Sequence, residues 1–121
     1  MDDDEMIRNS ITKMIEYLGY RIETAATGAA TVEKFRQARD SGSPFDIVIL
    51  DLTIRGGPGG EEVIRDLLKI DPEVKALVSS GYANHPIMAD HKKYGFRGVM
   101  EKPYRVEELS RILSRYCGQK P

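Results

Sequence analysis

A chain of 121 residues has the size of one domain, and a content of 40% hydrophobic and 31% charged residues is that of an ordinary folded protein with a single core. Lys and Arg total 18 against 19 Asp and Glu, so the formal net charge is −1; neither a global field nor a local basic run draws the chain to nucleic acid or an anionic bilayer. The single cysteine, Cys117, excludes an internal disulfide, and with no signal peptide and no apolar run of bilayer length the expected location is the cytoplasm, without direct membrane contact.

Asp2, Asp3, Asp4 and Glu5 open the chain, after which Met6, Ile7, Ile11, Met14, Ile15 and Leu18 recur at helical spacing. Acids at the start suit the helix dipole, and Gly19 stops the helix. Residues 20–25, Tyr-Arg-Ile-Glu-Thr-Ala, alternate as a short strand does, and a second helix is expected over residues 29–39. A Ser-Gly-Ser-Pro loop at 41–44 hands over to residues 47–51, Ile-Val-Ile-Leu-Asp. This uninterrupted apolar run has the pattern of a strand covered on both faces, delivering Asp51 to the glycine-rich loop Gly56-Gly-Pro-Gly-Gly60. A third helix is expected over 61–70, with Val63, Ile64, Leu67 and Leu68 on one face, ending at Asp71-Pro72. Residues 76–80 form another buried strand that runs into Gly81, a weakly helical segment follows over 86–94, and 98–103 contains the last strand. The last helix is expected over 106–116, with Leu109, Ile112 and Leu113 inward.

Strands alternating with helices imply a doubly wound parallel sheet, with right-handed crossovers placing all strand carboxyl ends on one edge. In such sheets ligands bind at that edge, which here collects Asp51, Ser79 or Ser80, and Lys102. Taken alone, Asp51 reads equally well as a turn cap, the N-terminal acids as a solvated helix start, and Lys102 before Pro103 as a surface lysine.

Together these pieces resemble the receiver domain of two-component response regulators over nearly the whole chain: Asp2-Asp3 before the first helix, Ile-Leu-Asp51-Leu-Thr, Val78-Ser-Ser80-Gly81 and Glu101-Lys102-Pro103. The glycines after Asp51, with Ser79-Ser80-Gly81-Tyr82 and Lys102-Pro103-Tyr104, look most like receivers carried by hybrid sensor histidine kinases. The resemblance implies a flavodoxin-like (βα)5 fold forming a single receiver domain over residues 1–121. It implies that Asp51 accepts a phosphoryl group from the phosphohistidine of a histidine kinase or phosphotransfer protein, and that signalling runs through protein contacts rather than enzymatic turnover of a substrate. Membership of a membrane-associated hybrid kinase fits the same resemblance. Mg²⁺ is the implied cofactor, held by Asp3, Asp2, Asp51 and the backbone carbonyl of Thr53, because clustered carboxylates with room for water and phosphate suit a hard oxygen-seeking cation. Lys102 would pair with the phosphoryl oxygens, and the hydroxyl of Ser80, favoured over that of Ser79 by its place before Gly81, would hydrogen-bond them. His85 and His91 read as exposed structural residues, and Tyr82 and Tyr104 as packing or partner-facing ones.

Two departures from the family pattern stand out. Receivers begin with a central buried strand that ends at the acidic pair, and here only Met1 precedes Asp2. A start placed too late, closure of the gap by rearrangement or strand exchange, and removal of the segment are the competing explanations; each leaves strand edges for pairing, a homodimer included. Val99 stands three residues before Lys102, where many receivers carry an aromatic ring, so output is expected to run through the loop at 81–86 and the surface of the neighbouring helix and last strand.

The alternative function is a receiver-like interaction module that is not phosphorylated. A haloacid-dehalogenase-like phosphatase would need a second Asp where Thr53 stands, and the glycine-rich loop lacks the Gly-Lys-Ser/Thr of a nucleotide-binding P-loop. Flavin binding would need a phosphate-cradling loop after a first strand.

Overall fold

The structure, a computed structural model, describes residues 1–82 and 84–117. The expected domain bound at residue 121 and one residue of the 81–86 loop therefore lie outside the described residues.

Helix α1 (Glu5–Tyr17) starts where the Asp4 carboxylate accepts the backbone N–H groups of Met6 (2.9 Å) and Ile7 (3.4 Å), which satisfies donors a first turn leaves unpaired. Helix α2 (Gly28–Asp40) is capped in the same way by Thr27, whose hydroxyl accepts the Ala30 N–H at 3.1 Å. Strand β1 (Val48–Asp51) leads through the glycine-rich loop into α3 (Gly60–Ile70), whose entry is fixed by the Glu62 carboxylate accepting the Gly59 N–H at 2.8 Å. Strand β2 (Ala76–Ser80), the short helix α4 (Pro86–Ala89), a 3₁₀ turn (His91–Tyr94), strand β3 (Gly98–Glu101) and helix α5 (Val106–Cys117) complete the chain.

The three strands are parallel in the order β1-β2-β3, with Asp51 beside Ser79 and Ser79 beside Met100. Helices cover both faces. Phe35, Leu50, Val63, Ile64, Leu67 and Ile87 form the core under α2, α3 and α4, while Ile11, Ile15, Leu77, Met100, Leu109 and Leu113 form the core under α1 and α5. The doubly wound flavodoxin-like architecture is thus present, and β2, buried along its whole length, is its central strand among the described residues.

Four expectations are corrected. Residues 20–25 keep their alternation, with Tyr20, Ile22 and Thr24 half-buried and Arg21 and Glu23 exposed, but they form no strand. The reason is that only two residues stand between this segment and β1: Met1 donates to the Ile49 carbonyl (2.7 Å) and accepts the Asp51 N–H (3.0 Å), and the Asp2 N–H reaches the Ala25 carbonyl (3.0 Å). For the same reason Ile47, Val48 and Ile49 are half-buried rather than covered on both sides. The segment at 86–94 is divided at Asp90, beyond which the 3₁₀ turn ends at Gly95 with φ of 95°, a left-handed conformation suited to glycine. His85 and His91 are half-buried rather than exposed; the Nδ1 of His85 accepts the Ile87 N–H at 3.1 Å and so caps α4.

Candidate functional site

The carboxyl ends of the strands meet the start of α1 at one acidic cleft. Asp51 is the last residue of β1, Ser80 the last of β2, and Lys102 follows β3 directly. Main-chain bonds hold the three together: the Leu52 N–H donates to the Ser79 carbonyl at 2.8 Å, the Lys102 N–H to the Ser80 carbonyl at 3.0 Å, and the Asp51 N–H to the Met1 carbonyl at 3.0 Å. Met1 thereby seats Asp2 and Asp3 beside Asp51 despite their separation in sequence. One carboxylate oxygen from each of Asp2, Asp3 and Asp51 lies within 4.8 Å of the others, the arrangement of a cation-binding cluster.

Lys102 bridges two of these acids. Its Nζ is 2.7 Å from Asp2 Oδ2 and 3.0 Å from Asp51 Oδ2. Asp2 Oδ2 is shut away from water, and the Lys102 ammonium is its close partner. Asp3, more open to solvent, accepts the Arg55 N–H on Oδ2 at 3.2 Å, and Asp2 Oδ1 accepts the Asp4 N–H at 2.9 Å. Burial pushes the Asp51 carboxyl above its ordinary value, with the Lys102 contact opposing that rise and Asp2 adding to it. Burial alone would lower the Lys102 pKa, but the two carboxylates outweigh it and hold the ammonium above its ordinary value.

The glycine-rich loop is what lets the chain turn back under Asp51. A Cβ on Gly59 would lie 2.2 Å from the Leu52 carbonyl oxygen, and one on Gly60 would lie 3.1 Å from that of Asp51. Only hydrogen fits between the loop and the strand end at Gly59. Gly56, at φ of 70°, supplies the left-handed turn. The loop packs against the backbone beside the acid rather than cradling a phosphate.

Asp51, Lys102, Asp2 and Asp3 are brought together as the sequence suggested. Thr53, exposed in the loop, turns its N–H toward Asp51 Oδ1 at 3.5 Å. The two serines of β2 are engaged differently: Ser80 Oγ accepts the Tyr82 N–H at 3.0 Å, whereas Ser79 Oγ is 2.5 Å from the Tyr104 hydroxyl. Sequence reasoning did not pair Tyr104 with Ser79; they lie 25 residues apart, and the only signal is a hydroxyl-bearing ring next to a buried strand serine. Burial raises the Tyr104 pKa, the Ser79 bond opposing. Tyr82 is 74% exposed and Val99 37% exposed, so neither belongs to the cleft.

Known proteins are similar to this chain in sequence and fold. The chain is 27% identical over 116 residues to the chemotaxis protein CheY of Thermotoga maritima, covering 95% of this chain and 92% of that protein. It is 26% identical over 110 residues to the sensor kinase CckA of Brucella abortus, of which it spans 11%. Among solved structures, the receiver domain of the sensor histidine kinase PA1611 of Pseudomonas aeruginosa PAO1, which has a magnesium ion in its active-site cleft, matches 98% of the chain and 94% of its own with a TM-score of 0.83 at 22% identity. The Vibrio cholerae chemotaxis protein CheY4 matches 95% of the chain and 92% of its own, also at a TM-score of 0.83, with 26% identity. The family model of the response regulator receiver domain matches residues 1–114, so the chain belongs to the receiver domains of two-component signalling.

Proposed function

We propose that Asp51 is the phosphoacceptor of this receiver, taking a phosphoryl group from the phosphohistidine of a histidine kinase or phosphotransfer protein in the cytoplasm and passing the signal on through protein contacts. The observation that carries the reading is the convergence of three carboxylate oxygens within 4.8 Å, two of them on residues bridged by Lys102, at the carboxyl edge of a parallel sheet. The donor set fits Mg²⁺: it is all oxygen, with three carboxylates converging on one cleft. Asp3, Asp2 and Asp51, with the Thr53 carbonyl, would hold the ion. When bound, it supplies positive charge that relieves carboxylate repulsion and offsets charge on the phosphoryl oxygens.

The chain's own groups do the rest. An Asp51 carboxylate oxygen forms the new O–P bond as the P–N bond to imidazole breaks, and the departing ring nitrogen keeps that bonding pair. The main-chain bonds around Asp51 fix the attacking oxygen, which matters because a carboxylate is a weak nucleophile that gains most from positioning. Lys102 stays charged throughout and moves from its carboxylate partners to the phosphoryl oxygens. Ser80 gives up the Tyr82 N–H as its neighbour and donates its hydroxyl to the same oxygens, while Ser79 is occupied by Tyr104.

The test is chemical mapping: treat the chain with phosphoramidate and Mg²⁺, reduce with borohydride, and sequence the peptides by mass spectrometry. Conversion of Asp51 alone to homoserine is the expected result. Modification elsewhere, or none in folded protein, overturns the assignment, and none favours the interaction module without phosphorylation.

A further inference from the structure

The loop that leaves β1 alternates in burial: Leu52 and Ile54 are buried, whereas Thr53 and Arg55 are exposed. Both exposed residues are tied to the acidic cleft by their backbones. The Thr53 N–H turns toward Asp51 Oδ1 at 3.5 Å, and the Arg55 N–H donates to Asp3 Oδ2 at 3.2 Å. Arg55 therefore sits on the rim of the cleft, beside the most open of its three carboxylates. Asp3 takes the main-chain N–H of this arginine and not its side chain: no ion pair or hydrogen bond among the described residues engages the Arg55 guanidinium. The other cations that touch the cluster are committed. Lys102 Nζ bridges Asp2 and Asp51, and Arg8 Nη1 donates to the Asp2 carbonyl at 2.8 Å.

Charge makes the position of this side chain consequential. Three carboxylates face the Lys102 ammonium in the cleft, so an anion entering from solvent is repelled before it reaches that ammonium. A cation on the rim, with its charge unspent, offsets that repulsion where entry begins. We propose that Arg55 is a phosphodonor-binding residue, whose guanidinium attracts the anionic phosphoryl group of an N-phosphoryl donor at the rim and guides it in to Asp51. The inference rests on the reading of Asp51 as the phosphoacceptor and adds the group that recognises the donor. The two cations then divide the work by depth: Arg55 meets the phosphoryl oxygens at entry, and Lys102 meets them at the acid. A guanidinium suits the outer role, because it is charged at every working pH and presents several N–H donors to phosphoryl oxygens. Because Arg55 is exposed, its attraction is one that salt screens.

The experiment follows the phosphoryl adduct by intact mass over time, with phosphoramidate and Mg²⁺, on the unaltered chain, Arg55→Ala and Arg55→Lys. At about 0.1 M salt the second-order rate constant is expected to fall about 5- to 10-fold in Arg55→Ala and to stay within about 2-fold in Arg55→Lys. The Arg55→Ala deficit should shrink to within about 2-fold at about 1 M salt, where the screening length is only about 3 Å. Thermal midpoints titrated with Mg²⁺ alone are the control. The N–H of residue 55 survives both substitutions, so the half-saturating Mg²⁺ concentration is expected to be the same in all three proteins. An unchanged rate constant in Arg55→Ala, a deficit equal at both salt concentrations, or equal losses in the two variants overturns the proposal. So does a deficit matched by weaker Mg²⁺ binding, which assigns the effect to the position of Asp3. No adduct on the folded, unaltered chain removes the phosphoacceptor reading and this inference with it, whereas an ordinary adduct that Arg55→Ala leaves untouched removes this inference alone.

Discussion

Asp51 sits at a carboxylate-rich position where folding works against its charge. Burial raises its pKa above the ordinary 3.8, so its neutral form is favoured in the folded state. The stability associated with that group is complete below the unfolded value and is lost as pH rises through the folded one. In metal-free protein, Asp51→Asn should therefore raise the thermal midpoint at pH 7, by a few degrees for each ~1 kcal/mol of relieved repulsion, and the gain should vanish below about pH 3.8. Calorimetry of both proteins across that range checks the sign. The serines separate by function: Ser80→Ala should slow phosphoryl uptake by about 10-fold or more, while Ser79→Ala should leave the rate unchanged within about 2-fold and cost about 1 kcal/mol of stability through the lost Tyr104 bond. Equal rate losses in a timed phosphorylation assay would remove the distinction.

At the scale of elements, the loop from β1 into α3 is set by backbone contact. Gly59→Ala should cost about 2 kcal/mol or more, because the nearest atom to its Cβ, at 2.2 Å, is a main-chain oxygen that cannot swing away. Gly57→Ala meets nothing within 4 Å and should be nearly neutral in urea unfolding. The elements also show where sequence was informative. A β-branched run ending on Asp51, a serine pair before Gly81 and Lys102 before Pro103 were legible because each is local: the apolar pattern makes the strand and the strand end places the side chain. Residues 20–25 carry the same kind of local pattern and still form no strand, because a ladder needs a partner over its whole length and Met1 and Asp2 supply only its last part. The Tyr104 bond to Ser79 was illegible for a related reason: it joins segments 25 residues apart.

Across the whole molecule, Met1 and Asp2 tie the acidic cleft to the sheet, bonding β1 and Ala25 while Asp2 faces Lys102. On the proposed reading Mg²⁺ is held by the folded cleft and not by the unfolded chain, so at about 100 times its dissociation constant it should add roughly 2.7 kcal/mol of stability. Asp3→Asn should lose most of that increment, with little change in the metal-free midpoint, since Asp3 is the more exposed member of the cluster. The central claim concerns chemistry at one carboxylate, and intact-protein mass after exposure to a small-molecule phosphodonor tests it most directly. The chain and Asp51→Asn are each measured with and without Mg²⁺. A single phosphoryl adduct on the unaltered chain, dependent on Mg²⁺ and absent from Asp51→Asn, is the predicted result. An adduct that persists in Asp51→Asn, or none on protein shown to be folded, would contradict the account.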